Sequence, residues 1–80
     1  MNSARISLTG RVFEEDFPPW IRRHSTKLGL ELLSVSKERE ALVVKVHGSE
    51  PMLQALALGC ALGPESVLVD KFDIEIENLQ

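Results

Sequence analysis

Two segments of this chain, one near each end, alternate apolar and polar residues with a period of two. Successive side chains of a strand point to opposite faces, so this period is typical of a strand that is buried on one face only. Gly10 interrupts the apolar row of the first segment, residues 5–12, which predicts a bulge or a close backbone approach. The apolar residues of the two segments are Ile6, Leu8 and Val12, then Val67, Val69, Phe72, Ile74 and Ile76. Each strand therefore needs a second layer that covers its apolar face.

A helix is predicted directly after the first strand. Asp16 stands at its predicted N-cap, and Pro18 and Pro19 are tolerated in a first turn whose N–H groups have no partner. Gly29 is predicted as the C-cap. Ile21, Ser25 and Leu28 recur at helical spacing. Two aromatic residues, Phe17 and Trp20, are expected beside them.

The middle of the chain predicts a hairpin and a second helix. A strand over residues 30–36 leads into a polar turn, residues 37–40, and into a third strand over residues 41–47 with Leu42, Val44 and Val46 on one face. The second helix begins with Ser49 as cap and Pro51 in its first turn, and Gly63-Pro64 ends it. Its apolar side is predicted to comprise Met52, Leu53, Leu56 and Cys60.

The element order βαββαβ predicts an α+β class fold, the ferredoxin-like sandwich, in which two helices cover one face of a four-stranded antiparallel sheet. Residues 1–80 form one domain of this kind. The predicted core is Ile6, Leu8, Ile21, Leu28, Val44, Leu56, Phe72 and Ile74. The opposite, open face of the sheet is expected to be polar, with Arg5, Ser7, Thr9, Arg11, Lys45, His47 and the acids of the last strand.

Composition excludes several classes of function. A formal net charge of −3 gives no indication of a nucleic-acid binder, and the single cysteine, Cys60, excludes an internal disulfide and a multi-cysteine metal site. No stretch approaches the roughly 20 apolar residues of a membrane span, and the N-terminal residues contain no apolar run typical of a signal peptide. We expect a soluble, cytoplasmic protein with no cofactor and no membrane partner.

Short motifs over about residues 5–77 resemble those of the acylphosphatase family. They are Gly10-Arg11-Val12, Lys27-Leu28-Gly29-Leu30, Gly48-Ser49-Glu50, Cys60, Gly63-Pro64 and Val69-Asp70-Lys71. The resemblance implies the ferredoxin-like fold and hydrolysis of the carboxyl-phosphate bond of acyl phosphates. It also implies a phosphate loop that ends in an arginine, and an asparagine after the second strand that orients the attacking water.

The chain departs from that pattern where the family has its active site. The family loop reads Gln-Gly-Val-x-Phe-Arg, whereas this chain has Phe13, Glu14, Glu15, Asp16 and Phe17, with Pro18 in place of the arginine. Ser36 likewise occupies the asparagine position.

These substitutions remove the chemistry that holds a phosphoryl group. Proline has neither the bidentate guanidinium of arginine nor a backbone N–H. Each loop carboxylate within about 4 Å of a dianion would be repelled by roughly 4 kcal/mol per charge pair at an effective dielectric of about 20. The helix dipole contributes only about 0.3–1 kcal/mol in the other direction. We therefore predict that the loop does not bind an acyl phosphate.

Other candidate sites have weaker support. Arg22, or Arg11, is a fallback phosphate ligand, although an exposed basic face is our preferred interpretation of Arg22. The acids of residues 14–16 are candidate cation ligands, but we favour a role at the helix N-terminus and predict no metal site. Cys60 is expected in the core and Trp20 over it.

Two functions follow, and a third interpretation is a stand-alone ferredoxin-like fold that retains no small-molecule function. The preferred one is a degenerate acylphosphatase-like domain that is catalytically inactive and acts as a small binding or interaction module. The alternative is an acylphosphatase with a rearranged site, so we leave open whether the chain is an enzyme and lean against it. The expected partner is a protein or a small molecule, or a second copy of the chain that pairs through a sheet edge or a sheet face.

Overall fold

A computed structural model describes residues 1–78 of the chain. The elements in chain order are β1 (Asn2–Arg11), α1 (Phe17–Lys27), β2 (Glu31–Glu38), β3 (Ala41–Gly48), α2 (Glu50–Leu62) and β4 (Leu68–Asn78). The four strands form one sheet of order β2-β3-β1-β4 in which every neighbouring pair is antiparallel. The predicted βαββαβ order and the antiparallel sheet are confirmed.

One core lies between the helices and the sheet. In β1, Ile6 is paired with Val44 of β3 on one side and with Ile74 of β4 on the other, so these side chains share a face. Residues of both helices join this face in a single cluster, which shows that both helices cover the same side of the sheet. The most deeply buried members from the helices are Phe17, Ile21, Leu53, Leu56, Ala57 and Cys60.

Some core predictions are wrong. Phe72 faces Leu8 in register, yet it is 43% exposed because β4 is at the edge of the sheet and leaves the ring without a neighbour on its outer side. Met52, predicted on the apolar side of α2, is 36% exposed. Leu28 and Ile74 are only partly buried, although both pack against the core.

The sequence pattern also missed a buried side chain on the open face of the sheet. Val43 lies on the open face, between Ser7 and Ser36 in register, and is 1% exposed. It is covered because β3 is an inner strand with a neighbour on each side. The open face of the sheet is therefore not uniformly polar.

The end of α1 follows the prediction closely. The helix ends at Lys27, and Gly29 adopts the left-handed conformation with φ of 71°. The Leu30 N–H donates to the Ser25 carbonyl at 2.9 Å, and the Gly29 N–H donates to the Thr26 carbonyl at 3.0 Å. This pair of bonds is the Schellman arrangement, which satisfies carbonyl groups that the helix leaves free.

The predicted bulge at Gly10 is confirmed. Thr9 pairs with Lys71 but Gly10 pairs with Val69, so Asp70 is the extra residue in β4. Gly10 has φ of 123°, and a Cβ there would lie 2.7 Å from the backbone nitrogen of Asp70 and still closer to the Leu68 carbonyl. The bulge thus depends on a residue without a side chain.

The β2–β3 turn is shorter than predicted. Lys37 and Glu38 continue the strand and pair with Leu42 and Ala41, which leaves two residues, Arg39 and Glu40, in the turn. Arg39 adopts a left-handed conformation with φ of 58°. Two-residue hairpins need such conformations because they match the twist of the strands.

Candidate functional site

The candidate site is the loop between β1 and α1. Val12 and Phe17, at its two ends, are both fully buried. The Val12 N–H donates to the Gly10 carbonyl at 3.0 Å, and the Phe17 N–H donates to the Glu14 carbonyl at 3.1 Å. The loop is therefore anchored at both ends, while residues 13–16 are exposed to solvent.

Asp16 makes a different contact from the predicted one. It occupies the N-cap position of α1, but its side chain makes no capping hydrogen bond. Instead its two carboxylate oxygens accept from the Ser66 hydroxyl, at 2.8 and 2.7 Å. The contact ties the start of α1 to the segment before β4. Because α1 begins at Phe17, the three loop acids precede its first turn, and of residues 14–16 only Asp16, at the N-cap, has the position at the helix N-terminus that we favoured.

The backbone of the loop retains some hydrogen-bond donors. The N–H groups of residues 13–16 donate to no group within residues 1–78. All four residues are exposed, so water can accept these bonds. Beyond Phe17, Pro18 and Pro19 have no N–H and lie at the start of α1. Hydrogen-bond donors remain in the loop, but three of its residues are acidic and Pro18 stands where the resemblance implies an arginine.

The loop contacts the end of β2 through Phe13. The ammonium nitrogen of Lys37 lies 4.6 Å from the centroid of the Phe13 ring, within the range of a cation–π interaction. An open groove of about 700 Å³ lies beside this pair. Its lining combines basic, acidic and uncharged residues, namely Thr9, Gly10, Phe13, Lys37, Arg39, Glu40, Asp70 and Lys71. The sequence did not predict this groove, since its residues come from three separate segments.

Ser36, at the asparagine position of the resemblance, does not contact the loop by any hydrogen bond within residues 1–78. Its Cα is paired with Val43, which places it on the open face, and its hydroxyl donates to the Glu38 carboxylate at a long 3.4 Å. The structure therefore brings Lys37, rather than Ser36, to the loop.

The two fallback arginines are both exposed. Arg11 ends β1, immediately before the loop, and Arg22 lies one helical turn after Pro18 on α1. The ion pairs within residues 1–78 are Arg5 with Glu38 at 2.7 Å and His47 with Glu31 at 3.5 Å, so neither fallback arginine has an acidic partner in that range.

Trp20 lies at the start of α1 and covers the core, as predicted. It is partly buried, stacks on His24 at a centroid distance of 3.8 Å and meets Phe17 at 5.7 Å. As the single tryptophan, it reports on the beginning of α1 and on the adjoining loop.

Cys60 is fully buried in α2, and its burial raises the pKa of the thiol to about 12. A nucleophilic cysteine needs a depressed pKa and access to solvent, so Cys60 is a packing residue. Among residues 1–78, no three side chains of the metal-binding types converge on one point. Neither helix is long and apolar enough to cross a membrane.

Comparison with known proteins identifies the fold. The structure matches that of an acylphosphatase from Bacillus subtilis with a TM-score of 0.88 and 20% identity, over 100% of this chain and 89% of the other. An acylphosphatase from Coxiella burnetii matches with a TM-score of 0.82 and 19% identity, over 99% of this chain and 83% of the other. No family model and no curated protein matches the sequence. In its fold the chain is an acylphosphatase-like domain.

Proposed function

We propose that this acylphosphatase-like domain lacks acylphosphatase activity and acts as a small binding or interaction module. The observation that supports this most strongly is the exposed loop after β1, where three carboxylates precede two prolines. Acyl-phosphate hydrolysis needs oriented positive charge at the phosphoryl group and an oriented water. The substituted loop instead places negatively charged side chains where the negatively charged phosphoryl group of the substrate would bind.

The Asp16–Ser66 contact strengthens the argument. A carboxylate that accepts from one hydroxyl with both of its oxygens is held at the start of α1, where the helix dipole would otherwise attract a phosphate. The site therefore contains a fixed anion of its own. A substrate dianion would have to displace this carboxylate or approach it closely.

The alternative is a rearranged acylphosphatase in which Arg22 or Arg11 binds the phosphoryl group. Both arginines are exposed to solvent. Neither is held by a partner that would orient its guanidinium within residues 1–78. The inactive module is therefore the better account.

The surfaces that we propose for binding are residues 13–20, the open sheet face and the two sheet edges formed by β2 and β4. An exposed edge can pair with a strand of a partner or of a second copy. The edge strand β4 carries Asp73, Glu75 and Glu77. Charged side chains on an edge strand oppose its pairing with strands of unrelated proteins. The cytoplasm is the compartment that we propose.

The direct test is an acyl-phosphate hydrolysis assay with benzoyl phosphate, beside a titration with inorganic phosphate followed by Trp20 fluorescence. We expect hydrolysis no faster than the uncatalysed rate and no saturable fluorescence change. Hydrolysis well above background that is lost in Arg22→Ala would establish the rearranged enzyme instead.

Stepwise restoration separates the roles of the substitutions. The double variant Pro18→Arg with Ser36→Asn should recover little activity, because Glu14 and Glu15 still repel substrate and block its close approach to the backbone. Adding Glu14→Gly and Glu15→Val should then increase turnover further than the first pair does. Full turnover from the double variant alone would show that the loop acids matter less than we propose.

A further inference from the structure

The second helix has an unusual composition for a helix at the surface of a small domain. From Pro51 to Pro64 the chain contains no charged residue. A helix that is apolar all round is normally covered on all sides, whereas a surface helix has a charged outer face. Here the sheet covers only the side that contains Leu53, Leu56 and Cys60.

The outer side of α2 presents apolar side chains to solvent. Leu58 is 59% exposed and Leu62 is 85% exposed, and the two lie one turn apart. Met52 is 36% exposed, and Ala55 lies between Met52 and Leu58 on the outward side. We call these four residues the α2 surface. Exposed apolar residues that lie together on one side of a helix mark interaction sites, and the polar side chain among them is the exposed Gln54.

The α2 surface has a basic border on the side of α1. A Cβ at Gly59 would lie 3.8 Å from atoms of Trp20 and of His24, so these α1 side chains reach α2 at this point. Arg23 and Lys27 follow Trp20 by three and seven residues, which places them on the same flank of α1. Both are exposed, and neither forms an ion pair within residues 1–78.

Acidic residues flank α2 only at its two ends. Glu50 begins the helix and Glu65 follows it, and both are exposed. An antiparallel second copy packed on this surface would bring Glu50 of one copy near Glu65 of the other at both ends. It would also leave Arg23 and Lys27 without acidic partners. An anionic lipid surface that contacted the α2 surface would be repelled by Glu50 and Glu65, so these two glutamates oppose membrane binding as well.

We propose that the α2 surface binds a helical segment of another protein, one with an apolar face and a row of acidic residues along one flank. The apolar face covers Leu58 and Leu62, and the acidic row lies along Arg23 and Lys27. Helix-in-groove recognition of this type places anchors at helical spacing. The assignment rests on the proposed role as an interaction module and adds the α2 surface, with its partner chemistry, to the surfaces proposed above.

Two designed helical peptides with the same leucine face test the proposal. One has glutamates along a single flank, and the other has lysines at the same positions. Binding is followed by Trp20 fluorescence and by backbone amide NMR shifts. We expect the glutamate peptide to bind about tenfold more tightly than the lysine peptide, the effect of a few partly exposed charge pairs. The shifts should be confined to α2 and the adjoining flank of α1.

Variants identify the surface. Leu58→Glu with Leu62→Glu should weaken the glutamate peptide by at least about tenfold, because it places charge in an apolar contact. Leu68→Glu is the matched control, since Leu68 is equally apolar and 67% exposed but lies on β4. This control should bind as the unchanged protein does. Arg23→Glu with Lys27→Glu should reverse the preference to the lysine peptide.

Three results would overturn the proposal. The first is equal or absent binding of the two peptides. The second is a concentration-dependent dimer that Leu58→Glu abolishes, which would assign the surface to a second copy. The third is binding to phosphatidylserine-containing vesicles that the same variant abolishes. Benzoyl phosphate hydrolysis is scored separately, so an active protein that binds the glutamate peptide would refute only the proposed lack of catalysis.

Discussion

Leucine occupies two opposite environments within the single helix α2. Leu56 is fully buried against the sheet, whereas Leu62, six residues later, is 85% exposed. The two residues have the same helix propensity and the same apolar area, so only their surroundings differ. Any difference between their contributions to stability therefore measures packing.

Leu56→Ala is expected to lower the free energy of unfolding by about 2–5 kcal/mol, because it removes buried methyl groups and leaves a cavity. That is a large share of the stability of a domain of this size. Urea denaturation measures the change. Leu62→Ala is the control and should change the free energy of unfolding by no more than about 0.5 kcal/mol. A loss below about 1 kcal/mol for Leu56→Ala would mean that the inward face of α2 is wrongly assigned.

At the scale of the elements, Gly29 and Gly10 are two of the three glycines with positive φ within residues 1–78, and they need glycine for different reasons. Gly29, with φ of 71°, ends α1, and no atom lies within 4 Å of the place where its Cβ would be. Gly10, with φ of 123°, is at the bulge between β1 and β4, where the backbone of β4 occupies that place. Position 29 therefore needs glycine only for its backbone conformation. Position 10 needs glycine for its conformation and also because β4 leaves no room for a Cβ atom.

We expect Gly29→Ala to cost about 1–2 kcal/mol of unfolding free energy, the strain of a left-handed residue with a side chain. Gly10→Ala should cost more, since the methyl group must also displace the Asp70 backbone and disturb the pairing of β1 with β4. Thermal unfolding of both variants, followed by circular dichroism, gives the comparison. Equal midpoints for the two would show that the bulge adjusts without cost.

The elements also show how far sequence reasoning reaches. Alternation predicted β1 and β3 well because these inner strands have one face on the core. It failed for Phe72 because alternation assigns a face but not the extent of cover at a sheet edge. It failed for Met52 because a helix without charges gives no sign of which side faces out.

The sequence predicted which residues form the candidate site, but it did not predict the contacts that these residues make. The acids and prolines of the loop are visible in the sequence, as is their position between a strand and a helix. The Asp16–Ser66 hydrogen bond joins residues 50 positions apart, and the Phe13–Lys37 contact joins the loop to the end of β2. Such contacts depend on the assembled fold and on no local pattern.

For the molecule as a whole, Cys60 couples stability to alkaline pH. Burial raises the pKa of its thiol from about 9.0 to about 12 in the folded protein. The unfolded chain therefore releases this proton first as the pH rises, which favours unfolding. The contribution to stability is fully present below pH 9 and is lost progressively between about pH 9 and pH 12.

Cys60→Ala should remove this dependence. Between pH 9 and pH 10.5, the unchanged protein should lose up to about 1.4 kcal/mol of unfolding free energy per pH unit more than the variant, the value for one proton. Urea midpoints at several pH values measure the two slopes, and titrating lysines affect both proteins alike. Parallel slopes would show that the thiol does not titrate on unfolding in this range.

The strand order has a consequence for the time course of folding. Of the four strands, the inner strand β1 is synthesised first and its neighbour β4 last. Until β4 has been synthesised, one edge of β1 has no hydrogen-bond partner, and the apolar face that it shares with β3 lacks its last neighbour. Pairing between such distant segments is slow compared with the formation of a helical bundle. The nascent chain is therefore most open to chaperones, and to wrong strand partners, in the interval before its final strand emerges.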